Sequence, residues 1–277
     1  MDVLRIAAFC DEEEGGNPAG VVIGNSLPVP ARMQAVAAEV GFSETAFAAP
    51  LGDGYRVRYF SPESEVPFCG HATIALGAAL ALQKGDGVFD LTLNDAGITV
   101  EGRRDDGGIV AALMSPATSS KPAGAALVSE ALALFGFGPE DLDPRIPPAV
   151  AEAGATHLVL ALNSREKLAA MSYDLDAGRR FMRDNGLVTV SLVFAESDRR
   201  FHARNPFASG GVYEDPATGA AAAALAGYLR DLDWPHGGVI EIAQGQDMGA
   251  PSRLKAEIAP EPGSAIRVSG RARLMRP

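Results

Sequence analysis

Two stretches of this chain, residues 74–82 and 220–229, are apolar on every side when wound as helices. A helix without a polar face must be buried all round, so each needs its own wrapping of other elements. Short strand patterns supply it. Residues 88–93, 98–101 and 109–114 follow the first helix, separated by Asn94-Asp95-Ala96-Gly97 and Asp105-Asp106-Gly107-Gly108. Residues 156–162, 187–195 and 199–205 precede the second, and 239–243, 253–258 and 266–274 follow it. Consecutive short strands imply antiparallel pairing. The expected class is α+β, with two pseudo-equivalent domains, each a curled, mostly antiparallel sheet around a central apolar helix, rather than layered βαβ units. Residues 115–124, rich in Ser, Pro, Ala and Gly, read as the linker. This places the domains at 1–117 and 118–263, with the last strand, 264–277, available to rejoin the first.

An internal repeat supports the doubling. Aligning Ala72-Thr73 with Ala217-Thr218 also pairs Gly70 with Asp215, His71 with Pro216 and Leu80 with Leu225. Of the remaining elements, 3–9 reads as a strand, Asn17-Pro18-Ala19-Gly20 as a turn and 21–23 as a second strand. Met33, Val36, Ala37 and Val40 mark an amphipathic helix over 30–41, with Pro30 at its start and Gly41 past its end. Residues 42–47 resume alternation, which puts Phe42, Glu44 and Ala46 on one strand face. Helices are expected over 126–136 and 175–185, the latter ended by Gly186.

Both apolar helices begin beside side chains capable of chemistry. Strand-like 57–59 gives way at 61–67, and Cys69-Gly70-His71 stands where the first helix starts. Glu214-Asp215-Pro216-Ala217-Thr218-Gly219 stands before the second. Helix starts leave backbone N–H groups unpaired and carry partial positive charge, so the amides around 70–73 and 217–220, with Thr218, Gly219 and Ala220, can hold a carboxylate. If both mouths serve one cleft, His71, Asp215 and Glu44 supply its titratable groups. Among apolar neighbours Glu44 would have its pKa raised, which suits a group that takes and returns a proton. Such chemistry needs no cofactor. The bland readings are a solvated Glu44, a capping His71 or Asp215, and a Cys69 that only packs.

Other classes are disfavoured. A formal charge of −11 argues against nucleic acid or anionic membrane as partner. No apolar run approaches the ~20 residues of a membrane span. The start, Met-Asp-Val-Leu-Arg-Ile-Ala-Ala-Phe, lacks a signal-peptide pattern, and two cysteines fit a reducing compartment, so a cytoplasmic location is expected. His157, His202 and His236 lie apart without ligand spacing, so no metal site is expected, and no glycine-rich nucleotide loop is present.

Five segments in register now converge: Asn17-Pro18-Ala19-Gly20; Phe42-Ser43-Glu44-Thr45-Ala46-Phe47; Arg58-Tyr59-Phe60-Ser61-Pro62 with Glu65-Val66 and Cys69-Gly70-His71-Ala72-Thr73; Glu214 to Gly219; and Gln244-Gly245 with Met248-Gly249. Together they resemble the PhzF family of phenazine-biosynthesis-like isomerases and epimerases over nearly the whole chain. The resemblance implies the diaminopimelate-epimerase-like fold, a site between the two domains and a homodimer. It also implies that Glu44 shuttles a proton, helped by His71 and Asp215, with substrate contacts at the amides of Gly70 and Gly219. Two positions depart from the family pattern: Ala220 replaces a serine, and Ala250 replaces an arginine of the loop after Gln244-Gly245. Both remove polar groups. The sequence therefore reads as a cofactor-independent isomerase or epimerase of a small carboxylate-bearing molecule. The alternatives are a thiol-assisted racemase using Cys69 and a catalytically silent small-molecule binding protein.

Overall fold

The computed structural model describes residues 1–94 and 96–275. Two compact units emerge: Met1–Met114 with the C-terminal stretch from Ser269, and Ser115–Val268. The expected turn at 94–97 includes Asp95, which lies outside the described residues.

In the first unit the elements run β1 (Leu4–Cys10), β2 (Asn17–Ile23), α1 (Pro30–Val40), β3 (Thr45–Leu51), β4 (Gly54–Phe60), β5 (Glu65–Val66), α2 (Gly70–Lys84), β6 (Gly87–Thr92), β7 (Gly97–Asp105) and β8 (Gly108–Met114). β1 and β2 pair antiparallel, β2 and β3 parallel across the α1 crossover, and β3 and β4 antiparallel. β4 pairs antiparallel with β5 and, across α2, parallel with β6, which continues antiparallel into β7 and β8. α2 packs against β1, β2, β3, β6, β7 and β8, so the sheet curls around it. Its contact with β7 needs two glycines: a Cβ on Gly102 would lie 2.2 Å from the Gly77 carbonyl oxygen. α1 covers the outside, where Met33, Val36 and Ala37 join Val22, Phe47 and Phe60 in a satellite core.

The second unit contains β9 (Ser119–Pro122), α3 (Ala125–Phe135), β10 (Ala149–Glu152), β11 (Thr156–Leu162), α4 (Arg165–Ala169), α5 (Leu175–Asp184), β12 (Thr189–Ala195), β13 (Arg200–Phe207), β14 (Val212–Asp215), α6 (Gly219–Asp231), β15 (Val239–Gln244) and β16 (Ser252–Ile258). The pairing scheme repeats that of the first unit. β10 and β11 are antiparallel, β11 and β12 parallel, β12 and β13 antiparallel; β13 pairs antiparallel with β14 and parallel with β15, and β15 antiparallel with β16. α6 packs against β9, β10, β11 and β16. The last strand, β17 (Ile266–Leu274), carries the chain back, and its residues Arg271 to Leu274 pair with β1. The fold is thus α+β with mixed sheets, each largely antiparallel with parallel joints where a helix crosses over.

Several local expectations change. Asn17 opens β2 rather than a turn; the reversal lies earlier, where Asp11 and Glu14 exchange backbone hydrogen bonds of 3.0 Å and Gly15 and Gly16 take positive φ. Residues 42–44 are not strand. Gly41 ends α1 in the left-handed region at φ 73, and the next three residues turn the chain until the Glu44 carbonyl accepts from Gly20 N at 3.1 Å and β3 begins. Glu44 therefore sits at a strand's entrance rather than on its face. The supposed linker contains β9, which pairs with β10. Leu82 is 37% exposed, so α2 loses its full wrapping in the last turn. The helix starts align Cys69 with Thr218, hence Gly70 with Gly219 and His71 with Ala220, four residues from the register that small-residue matching suggested. No helix among the described residues is long and apolar enough to cross a membrane.

Candidate functional site

In the first unit, the turn before β3 and the start of α2 bring Glu44, Cys69 and His71 together although 25 residues of chain separate them. His71 is buried at the second position of α2, with Cys69 as the preceding N-cap residue. His71 Nε2 lies 3.3 Å from Glu44 Oε2 and 3.3 Å from Ser43 Oγ. Nδ1 lies 3.4 Å from Cys69 Sγ. A neutral imidazole has one N–H, and an ionised carboxylate only accepts. The arrangement that satisfies both contacts has Nε2–H donating to Glu44 and Nδ1 accepting the Cys69 thiol proton. The Glu44 side chain retains 15% of its exposure, enough to face a ligand while held by the histidine.

The loop that delivers Cys69 is pinned on both sides. Arg58 on β4 makes a two-pronged pair with Glu65 on β5, 2.8 Å from Nε to Oε1, and Asn94 adds a bond of 2.7 Å to the same carboxylate. That hydrogen bond from Arg58 holds the Glu65 carboxyl below the usual carboxylate range. Behind the loop, the Tyr59 hydroxyl meets Thr73 Oγ1 at 2.6 Å, and Thr73 in turn donates to the Cys69 carbonyl at 2.7 Å. Burial pushes the Tyr59 phenol far up, so it supports the loop and takes no part in proton transfer near neutrality. With Cys69 sulfur turned to the imidazole, no side chain caps α2. By helix geometry the amides of Gly70, His71 and Ala72 have no intrahelical acceptor.

In the second unit β14 delivers Asp215 to the start of α6. Asp215 Oδ2 accepts from the Thr218 hydroxyl at 2.5 Å. Thr218 is the N-cap residue, yet it makes no capping bond, which leaves the amides of Gly219, Ala220 and Ala221 as uncapped as those of α2. β14 is anchored one residue earlier by Glu214, which is 3% exposed and receives Arg204 Nε at 2.9 Å; the same guanidinium donates to the Ala169 carbonyl at 2.8 Å.

Ser43 and Gln244 enter the two stations without having been singled out for a role from the sequence. Both stand in segments that carry the family resemblance, Ser43 beside Glu44 and Gln244 before Gly245, but that Gln244 bonds Asp215 and Thr218 from 26 residues beyond Thr218 has no local signal. The ligand atoms of Glu44, Cys69 and His71 lie within 4.8 Å of one another, a set able to hold a thiophilic divalent ion. No ligand spacing in the sequence marks this cluster, because Glu44 comes from the turn before β3 and Cys69 and His71 from the start of α2.

Residues 6–276 match the family model described as phenazine biosynthesis-like protein. A trans-2,3-dihydro-3-hydroxyanthranilate isomerase of Pseudomonas aeruginosa is 34% identical over 275 residues, covering 96% of this chain and 94% of that protein. Among solved structures, a Bacillus anthracis phenazine biosynthesis protein of the PhzF family superposes with a TM-score of 0.86 at 21% identity, covering 99% of this chain and 96% of that one. A probable proline racemase from Agrobacterium radiobacter superposes with a TM-score of 0.66 at 12% identity, covering 99% and 90%.

Proposed function

Because the chain belongs to the phenazine biosynthesis-like (PhzF) family and is an isomerase, we propose that it moves a proton on a small carboxylate-bearing molecule without a cofactor, with Glu44 as the shuttle. The observation that carries this reading is the 3.3 Å contact between Glu44 Oε2 and His71 Nε2. A base that abstracts a proton from carbon must be ionised, oriented and close enough to return it, and an imidazole N–H donating to one carboxylate oxygen leaves the other to work. Glu44 takes the proton; the electron pair of the broken C–H bond moves into the neighbouring π system; the carboxylic acid then delivers the proton to a different carbon or the other face. Charge developing on the substrate is stabilised by the uncapped amides at the starts of α2 and α6, which also hold its carboxylate. In this reading Gly70, Thr218, Gly219 and Ala220 contact one substrate that spans both stations, in the cleft expected between the two domains, with Asp215 as the second titratable group. The Pseudomonas aeruginosa relative acts on trans-2,3-dihydro-3-hydroxyanthranilate. Ala220 and Ala250 stand where the family pattern has polar side chains, so this chain is proposed to act on a different small carboxylate-bearing molecule from that relative. The protein is further proposed to be a cytoplasmic homodimer.

A second reading, a racemase in which the Cys69 thiol carries the proton, is favoured by the 3.4 Å contact from Sγ to His71 Nδ1. Incubating the protein in heavy water with a panel of small amino and hydroxy acids, trans-2,3-dihydro-3-hydroxyanthranilate included, separates the readings by NMR. Deuterium entering carbon in the native protein and in Cys69→Ala supports Glu44. Loss in Cys69→Ala alone transfers the role to the thiol. Binding without exchange anywhere makes the protein a binder and overturns both.

A further inference from the structure

The pair Gln244-Gly245 has no part in the proton shuttle, yet it is built around the start of α6. Gln244 ends β15 and is 1% exposed. Its amide group makes three bonds: Nε2 donates to the Asp215 carbonyl at 2.7 Å and to Thr218 Oγ1 at 3.1 Å, while Oε1 accepts from Thr218 N at 3.2 Å. Gly245 follows at φ 74, and a Cβ there would lie 2.2 Å from the Ala250 oxygen and 2.7 Å from the Pro216 oxygen. No side chain fits. Gln244 therefore holds the segment from Asp215 to Thr218 at both ends, while Gly245 lets the chain pass close to its middle at Pro216.

The consequence lies in what Thr218 does not do. A threonine at an N-cap ordinarily turns its hydroxyl inward to accept from the second or third amide of the helix, here Ala220 or Ala221. In this chain the hydroxyl donates to Asp215 Oδ2 and accepts from Gln244 Nε2, and no capping bond forms. Asparagine or shorter side chains at 244 could not reach all three partners, and glutamate would lose both donors.

We propose that Gln244 is a positioning residue that holds the Thr218 hydroxyl off the first turn of α6 and onto Asp215. It thereby fixes the Asp215 carboxylate and keeps the Ala220 and Ala221 amides uncapped for a ligand. The ligand rests on the function proposed above; the positioning does not.

Amide hydrogen exchange by NMR on the full chain tests it. In Gln244→Met the released hydroxyl caps the helix, so protection at Ala220 and Ala221 rises about tenfold relative to Leu225 and Leu229 in the same helix. Adding Thr218→Val abolishes the rise, an outcome that general destabilisation would not produce. Gln244→Glu, which keeps the acceptor and loses the donors, gives the same rise and serves if the methionine variant does not fold. Unchanged relative protection in both variants, or a rise that survives Thr218→Val, overturns the proposal. Neither result depends on turnover, so failure here and failure of the Glu44 shuttle are read separately.

Discussion

His157 gives the second unit a pH dependence that can be worked out from its surroundings. The side chain is fully buried on β11, with Nδ1 2.8 Å from Thr189 Oγ1 and no hydrogen-bond partner for Nε2 among the described residues. Burial without a counter-charge disfavours the imidazolium, lowering the pKa from 6.5 to about 4. Unfolding releases the ring to its ordinary value, so between these two pKa values the unfolded chain binds the extra proton. Stability is complete above pH 6.5 and is lost as pH falls toward 4. Linkage gives a loss of ~2 kcal/mol between pH 7 and pH 5, out of about 3 kcal/mol in full. His157→Gln keeps a group able to bond Thr189 but does not titrate. Trp234 is the chain's one tryptophan and packs near Phe201 in the same unit, so urea unfolding followed by its fluorescence reports the relevant transition. The native protein should lose ~2 kcal/mol more than His157→Gln between the two pH values. Equal losses would refute the assignment of the shift to this buried ring.

Two further substitutions probe the scaffold. Gly102→Ala drives a methyl group against the Gly77 carbonyl at the contact of β7 with α2, and overpacking of this kind should cost about 1–3 kcal/mol, seen as a lower thermal midpoint. Arg204→Met strands the buried Glu214 charge beside Asp215 and should cost about 3–5 kcal/mol, whereas Arg204→Met with Glu214→Leu should recover most of it.

The parts of the fold legible in the sequence were those whose signal is local. α2 and α6 declare themselves because runs of apolar residues rich in Ala and Leu leave no polar face, and α1 because Pro30, the spacing from Met33 to Val40, and Gly41 agree. Strands β6 to β8 follow from their turns. What stayed hidden depends on distant pairing. The 115–124 segment looks like a linker until β10, some 30 residues later, gives β9 a partner. Glu44 falls in an alternating pattern that nothing local interrupts, although the exit from α1 consumes three residues before β3 starts. The repeat was visible as two alanine-rich helices, but small residues match at several offsets, and only the helix starts fix the register. Glu44, His71 and Asp215 were singled out as candidates from residue type and family motif, and the structure adds how each is held within its own unit: Ser43 and Cys69 around the imidazole of His71, and Gln244 against the segment from Asp215 to Thr218. The contact of Ser43 with His71 and those of Gln244 with Asp215 and Thr218 join elements far apart in the chain and have no periodic signature.

Glu44→Gln removes the base from the proposed proton shuttle while keeping the shape of the side chain and its contact with His71. Deuterium exchange into the substrate that the native protein labels in heavy water should fall by roughly 10²–10⁴-fold, with substrate binding retained. Exchange at the native rate in Glu44→Gln would mean that another group carries the proton.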